Sequence, residues 1–513
     1  MAAAVPGRRW PWEPVALALI LGAFTAAVVS VLRVRSAFEY DEAVYAVRAR
    51  GWVQHTPLSG WDPHRGPALS ALGTVALWFG NGDNALRIVG LLSGLAAVAA
   101  CWWLGRSVYG PVTAVVGAAA FATSAELQAR SGQFLTDVPA AAVLLAAMAV
   151  LWWQLETRSE PDRRLLLVAP LVAFAFYLRY GSVLPIGAIA LVGGLLWWHR
   201  LRRRPRWPLA TAGLLAVLLV PHAVYAWRLC GTPWGVVSFT SRFAASHRTG
   251  IGDALFDYVH GLPSRLFGRM AGTLMLAGLA FAVVTAWRSR RGGRPDPAWR
   301  GAVFLAVPAT IQIVALGMSE PAQARFLLLP VALLTIAGAR AAVCVAEALP
   351  RPGRQAAAAG AVVLLAMALQ SGSARALTQT RQSGSWREVI RATGRAMRAR
   401  AGGPCAAVSV GVPMMSWYSH CAVTPYGVVP AAGGTRFLVA VDRYRVRVSP
   451  EVAAPYDLAA DPTPLAVVRP GTGSKGSAVV RRLTGDVRAP FLRPASVVGP
   501  DTCDLPDSAV KEK

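Results

Sequence analysis

VALALILGAFTAAVVSVLRVRSAFEYDEAVY, residues 15–45, joins an apolar run long enough to cross a bilayer to an adjacent carboxylate pair, Asp41 and Glu42. Arg8 and Arg9 precede the run, but no small-residue cleavage site followed by a polar chain ends it, so it reads as an anchor. The remainder has the same character. Of 513 residues, 55% are hydrophobic and 15% charged, which excludes an ordinary soluble enzyme and indicates a multi-span membrane protein. The formal net charge of +26 rests almost wholly on arginine, with lysine only at Lys475, Lys511 and Lys513. That charge is read as membrane topology, and no nucleic-acid partner is expected.

Apolar runs of roughly 17 to 25 residues fall near 15–33, 87–105, 111–127, 137–155, 165–180, 182–198, 209–228, 268–287, 301–319, 326–348 and 355–371, which makes about eleven transmembrane helices. The run from Pro67 to Phe79 is shorter and follows Asp62, His64 and Arg65, so it reads as a helix lying at the interface. With the N-terminus cytoplasmic, Arg158, Arg163 and Arg164, the five arginines between His199 and Arg206, the five between Arg288 and Arg300, and Arg351 with Arg354 all lie inside. A twelfth crossing at Pro67 would invert every one of these clusters. The loop 34–86, the turn 128–136, the loop 229–267, the turn 320–325 and the C-terminal part then share the outer side of the plasma membrane, where cytosolic nucleotide donors do not occur.

The expected organisation is a transmembrane domain over residues 1–371 that includes the outer loop 34–86, a small extracytoplasmic α/β domain over 372–500, and a disordered tail over 501–513. Ser385-Trp386-Arg387-Glu388 has capping-box spacing and opens an amphipathic helix with Trp386, Val389, Ile390 and Met397 on one face. Strand-like runs at 406–412, 437–441, 465–468 and 478–480 alternate with a helical turn at 414–419. Cys405 and Cys421 open two successive strands on the oxidising side. A disulfide between them is one reading and a pair of buried thiols the other, with Cys503 a rival for either partner. Trp417, Tyr418 and His420 are either core or a sugar-stacking surface.

In a helix, Asp41 and Tyr45 share one face at i, i+4, with Arg48 a turn further on, while Glu42 points about 100° away. The two carboxylates therefore address different partners. One can take a proton from a hydroxyl while the other positions a sugar, a metal or a backbone amide; alternatively both only stabilise a helix N-terminus.

Tyr40-Asp41-Glu42-Ala43-Val44-Tyr45 directly after the first span, His64-Arg65-Gly66-Pro67-Ala68-Leu69, and Ala85-Leu86-Arg87 opening the second span resemble the first outer loop of the lipid-carrier-dependent glycosyltransferases of the C-type membrane fold. These are the relatives of protein O-mannosyltransferases and of the aminoarabinose transferases that modify lipid A. Leu135-Thr136-Asp137-Val138-Pro139 resembles the family's second acidic motif, and Ala324-Arg325-Phe326-Leu327-Leu328-Leu329-Pro330 its arginine-aromatic-leucine-proline motif. The resemblance spans residues 10–350 and is carried by the order and spacing of these motifs. Pro67-Ala68 stands where relatives often carry paired prolines, and Phe326 where they carry tyrosine.

The resemblance implies transfer of a sugar from a polyprenyl phosphate, with inversion, to a hydroxyl on a glycan, lipid or protein at the outer face. Asp41 matches the family's base. Glu42, Asp137 and Tyr45 would position acceptor or sugar, and Asp41, Glu42 and Asp137 could together assemble a divalent metal site. The departing phosphate needs positive charge, for which Arg325, Arg179, Arg65 and His64 are the outer-side candidates; snorkelling to headgroups, or exposure in a loop, is their structural alternative. A multi-span transporter or flippase of a lipid-linked or cell-envelope substrate is the competing function, although the acidic residues sit at span mouths and not mid-membrane.

Overall fold

A computed structural model of the chain describes residues 11–34, 37–56, 65–158, 160–246, 252–261, 267–291, 297–319, 322–382, 385–430, 433–442, 448, 450–469 and 477–487. Helix α1 (Glu13–Val34) is the anchor. α2 (Tyr40–Gln54) opens with a capping box between Glu39 and Glu42, the Glu39 N–H donating to Glu42 Oε2 at 2.9 Å. α3 (Ala68–Phe79) has 12 residues, about 18 Å, and falls short of the roughly 30 Å of a bilayer core. It is the expected non-crossing helix.

α4 (Asp83–Tyr109) is followed by α5 (Pro111–Ala122) and α6 (Ala125–Ser131), which meet at a 69° bend. Ser124 caps α6, its hydroxyl accepting from the Leu127 N–H. α7 (Asp137–Trp152) continues as a π-helical turn, Trp153–Thr157. A 3-10 turn (Arg163–Leu167) leads into α8 (Val168–Leu178), and a second (Tyr180–Ser182) into α9 (Val183–Arg203). α10 (Arg206–Cys230), α11 (Gly235–Ser246), α12 (Asp253–Gly261), α13 (Arg269–Arg291), α14 (Pro297–Ser319), α15 (Leu328–Ala348) and α16 (Arg351–Gln382) complete this part of the chain.

Among the described residues, nine helices are long and apolar enough to cross a membrane, or ten if α5 and α6 form one bent span. The remaining expected span, 165–180, is the short combination of 3-10 turn and α8. Pro170 has no N–H to give to the Leu166 carbonyl, so the turn before it tightens. Pro221 weakens α10 in the same way, and there Tyr177 acts as a splint. Its hydroxyl donates to Leu218 O at 2.9 Å and accepts from the His222 N–H at 3.2 Å, bridging the helix ladder at the proline.

The chain divides into two compact units, one of residues 1–33, 90–228 and 232–378, the other of residues 34–89, 229–231 and 379–513. The boundary expected at 371/372 falls inside α16, and the loop 34–86 groups with the C-terminal part.

In the first unit α15 is central, buried without interruption from Leu328 to Ala339. It packs on α13 so closely that a Cβ on Gly338 would lie 1.9 Å from Leu274 O, and one on Gly278 2.2 Å from Leu334 O. α7 orders the two ends of this unit. At its C-terminal end Glu156 accepts from Trp197 Nε1 at 2.7 Å and pairs with Arg300 at 3.2 Å, while Arg200 donates to the carbonyls of Leu155 and Arg158. The expected cytoplasmic connections 156–164, 199–206 and 288–300 thus meet at one end. Asp137, at the other end of α7, gathers Arg179 and Arg325.

The second unit holds α2, α3 and the C-terminal fold: α17 (Ser385–Ala401), β1 (Cys405–Val408), α18 (Val412–Ser419), β2 (Ala422–Thr424), β3 (Thr435–Asp442), α19 (Pro450–Ala459), β4 (Ala466–Val468) and β5 (Ser477–Arg482). The sheet order is β2-β1-β3-β5-β4; β1 is parallel to β2 and β3, and β5 antiparallel to β3 and β4. Val389, Ile390 and Met397 form the buried face of α17, as its periodicity predicts. Ala406 pairs with Ala422, which brings the preceding residues level. Cys405 and Cys421 are disulfide-bonded with Cα atoms 4.8 Å apart. Cys230 is also disulfide-bonded. Cys503 and the tail expected over 501–513 lie outside the described residues.

Candidate active site

Two constellations contain the predicted site residues, one in each unit. In the second unit, the first turn of α2 separates its two carboxylates as helical geometry requires. Glu42 is fully buried; it closes the capping box and pairs with Arg87 at 3.7 Å. Asp41 faces the other way, and its Oδ1 accepts from Arg65 Nη2 at 2.7 Å, each side chain 18% exposed. The guanidinium of Arg65 also lies 5.8 Å from the centre of the Tyr45 ring, so Asp41, Tyr45 and Arg65 form one face. Tyr45 is otherwise buried, and its carbonyl accepts from the Ser70 hydroxyl of α3 at 3.1 Å. Arg48, a turn further along, stacks on Trp52. His64 lies outside the described residues.

In the first unit, Asp137 begins α7 and Arg179 ends α8, where the backbone turns extended. Arg179 Nη1 donates to Asp137 Oδ1 at 2.6 Å. Arg325, on the 3-10 turn before α15, reaches within 3.9 Å of Asp137 Oδ2 and donates to Gln323 Oε1 at 2.7 Å. Phe326 lies under both cations, its ring centre 4.1 Å from Arg179 Cζ and 5.4 Å from Arg325 Cζ. These residues, with Gln312, line an open cavity whose other walls include Leu144, Leu184 and Leu328. Asp137 is the only acid in that lining, against two arginines. The cavity therefore carries excess positive charge in an apolar setting, suited to an anion.

The three carboxylates do not suit a divalent cation. Each has an arginine for a partner, Glu42 is also engaged by a backbone amide, and among the described residues no three His, Cys, Asp or Glu side chains converge.

The sequence offers little warning of what surrounds α2. Asp83, at the start of α4, accepts from Trp417 Nε1 and the Tyr418 hydroxyl, both at 2.7 Å. Burial and the Asp83 charge push the Tyr418 pKa up, keeping that hydroxyl protonated. Arg50, 2% exposed, donates to Ser416 O and Trp417 O. Burial, followed by the charge of Arg398, lowers its pKa to about 10, still well above neutrality. Trp417 and Tyr418 pack against Phe38 with ring centres 5.4 and 6.4 Å away, so they are core and not a sugar platform. An acid beside a span start in a chain poor in acids is the one local signal that singles out Asp83.

Residues 66–227 match the model of the family described as dolichyl-phosphate-mannose-protein mannosyltransferase. The fold is similar to that of ArnT from Cupriavidus metallidurans, solved bound to undecaprenyl phosphate, with TM-score 0.63 and 14% identity over 93% of this chain and 98% of that one. The apo state of the same protein gives TM-score 0.59 and 15% identity over 91% and 97%. The archaeal oligosaccharyltransferase AglB from Archaeoglobus fulgidus, solved with an inhibitory peptide and a dolichol-phosphate, gives 0.55 and 12% identity over 80% of this chain and 64% of that one. No curated protein sequence matches significantly. Residues 66–227 thus resemble a mannosyltransferase family, and the chain as a whole has the multi-pass membrane fold seen in ArnT and AglB.

Proposed function

We propose that the protein is a glycosyltransferase that moves a sugar from a polyprenyl-phosphate carrier to a hydroxyl acceptor on the outer face of the membrane, with inversion at the anomeric carbon and Asp41 as the base. The acceptor O–H gives its proton to the Asp41 carboxylate as its oxygen bonds the anomeric carbon. The bond from that carbon to the phosphate oxygen breaks, and the lipid phosphate leaves with the electron pair. No covalent enzyme intermediate is needed.

The observation that carries this reading is the Asp41–Arg65 pair at 2.7 Å. Of the two adjacent carboxylates, Glu42 is fully buried and closes the capping box, whereas Asp41 is partly exposed and pairs with Arg65. Arg65 also supplies positive charge for a departing phosphate. Independently, Arg179 and Arg325 in the cavity above Asp137 have the charge excess and planar geometry that suit a lipid phosphate. The complexes of ArnT with undecaprenyl phosphate and of AglB with dolichol-phosphate support a carrier of this class.

Outer-face action is supported by α7, whose two ends separate the arginine-rich connections from the Asp137 cavity, and by the oxidised cysteines 230, 405 and 421, all in segments predicted outside. The test is transfer by the purified full chain in nanodiscs with a polyprenyl-phosphate sugar. Asp41→Asn is expected to lower turnover by about 10²–10⁴-fold with expression and insertion intact. An Asp41→Asn protein of undiminished activity overturns the assignment of the base.

A further inference from the structure

The lead-in to α2 is fixed residue by residue by the C-terminal fold. Ala37 N–H donates to Glu388 Oε1 at 2.8 Å, Phe38 N–H to the Tyr418 hydroxyl oxygen at 2.7 Å, and Glu39 pairs with Arg387 at 2.8 Å. Tyr418 is the most constrained of these partners. An amide can only donate, so the hydroxyl accepts from Phe38 and must turn its own proton to Asp83 Oδ2, 2.7 Å away. Trp417 Nε1 takes the other oxygen of Asp83. Twelve residues beyond Phe38, about 18 Å along the helix, Arg50 caps the last carbonyls of α18 through Ser416 O at 2.9 Å and Trp417 O at 2.5 Å.

One eight-residue helix therefore grips α2 at both ends. α18 is itself immobilised. It starts at Gly411, whose φ of 65° suits glycine, and packs on α17 where a Cβ at Gly394 would meet Tyr418 Cβ at 2.6 Å. The Cys405–Cys421 disulfide closes the segment that carries it.

We propose that α18 is the positioning arm of the catalytic helix, and that Tyr418, relayed through the Phe38 amide and held by Asp83, sets the orientation of Asp41 three residues later. The proposal rests on Asp41 being the base. Removing the Tyr418 hydroxyl leaves the buried Phe38 amide, just ahead of α2, and an oxygen of Asp83, at the start of α4, short of this partner, so the turn that presents Asp41 loses its fixed position.

The experiment is a double-mutant cycle on the full chain in nanodiscs. Tyr418→Phe is expected to lower kcat by about 10- to 100-fold while donor KM stays within about two-fold. In the Asp41→Asn background the same change is expected to cost nothing more, because there is no base left to misplace. Tyr426→Phe, which removes a hydroxyl bonded to Val439 O elsewhere in the C-terminal fold, serves as the control and should leave kcat near wild type. Equal losses from Tyr418→Phe in both backgrounds, or equal losses from Tyr426→Phe and Tyr418→Phe, would mean general loosening and overturn the positioning role, as would a Tyr418→Phe enzyme of wild-type kcat. Full activity of Asp41→Asn alone would instead overturn the base, a separate failure read from the same cycle.

Discussion

Asp41 and Glu42 are neighbours in sequence with opposite fates, and the helical twist of about 100° per residue is the cause. One faces Arg65; the other is buried to close the helix start. The same economy governs Arg179 and Arg325, which share one carboxylate and one aromatic ring. In the proposed donor site both guanidiniums meet the incoming phosphate. Removing one of them should therefore weaken donor binding more than chemistry. Arg325→Ala is expected to raise the donor KM by about 10- to 100-fold, the worth of a charge-assisted hydrogen bond, with kcat much less affected. Initial-rate kinetics over donor concentration check this, and an unchanged KM removes Arg325 from the phosphate site.

Among the elements, α15 is the post around which the first unit is built, and its crossing with α13 depends on missing side chains. Helices in lipid gain little from burying apolar surface against one another, so close backbone approach at small residues carries their association. Gly338→Val would drive a side chain into the Leu274 carbonyl and should destabilise the protein by about 1–3 kcal/mol. The thermal midpoint in detergent or nanodiscs is the measurement, with Gly360→Val on exposed α16, where a Cβ meets nothing within 4 Å, as the control that should stay near wild type. α8 and α10 show the complementary device. Proline interrupts a ladder, and a tyrosine from a neighbouring helix repairs it. α18 is short, but its disulfide and its contacts to α2 give it more influence than its length suggests.

At the scale of the molecule, the proposed orientation, with the N-terminus inside and the C-terminal fold outside, rests on the arginine distribution and the ion-pair clusters at the ends of α7. A membrane-impermeant maleimide applied to intact cells should label Thr463→Cys and spare Ser289→Cys; the opposite pattern reverses the topology. The division into units cuts across the sequence. The loop 34–86 belongs with residues more than three hundred positions away, as the Phe38–Tyr418 and Asp83–Trp417 bonds illustrate.

The sequence by itself determined the membrane class, the non-crossing α3, the mixed C-terminal fold with its strands in place, and the separation of Asp41 from Glu42. All of these follow from period, length and local charge, which neighbouring residues encode. It also listed Arg65, Arg179, Arg325 and Asp137 as candidates without saying which of them meet. Only the tertiary structure decided that Arg65 faces Asp41, that Arg179 and Arg325 converge on Asp137, that Glu42 pairs with Arg87, and that Arg50, Asp83 and Tyr418 hold α2. Those pairings join residues 24 to 380 positions apart, and no local pattern records them, because a hydrogen bond depends on where two side chains end in space and not on what flanks either in the chain.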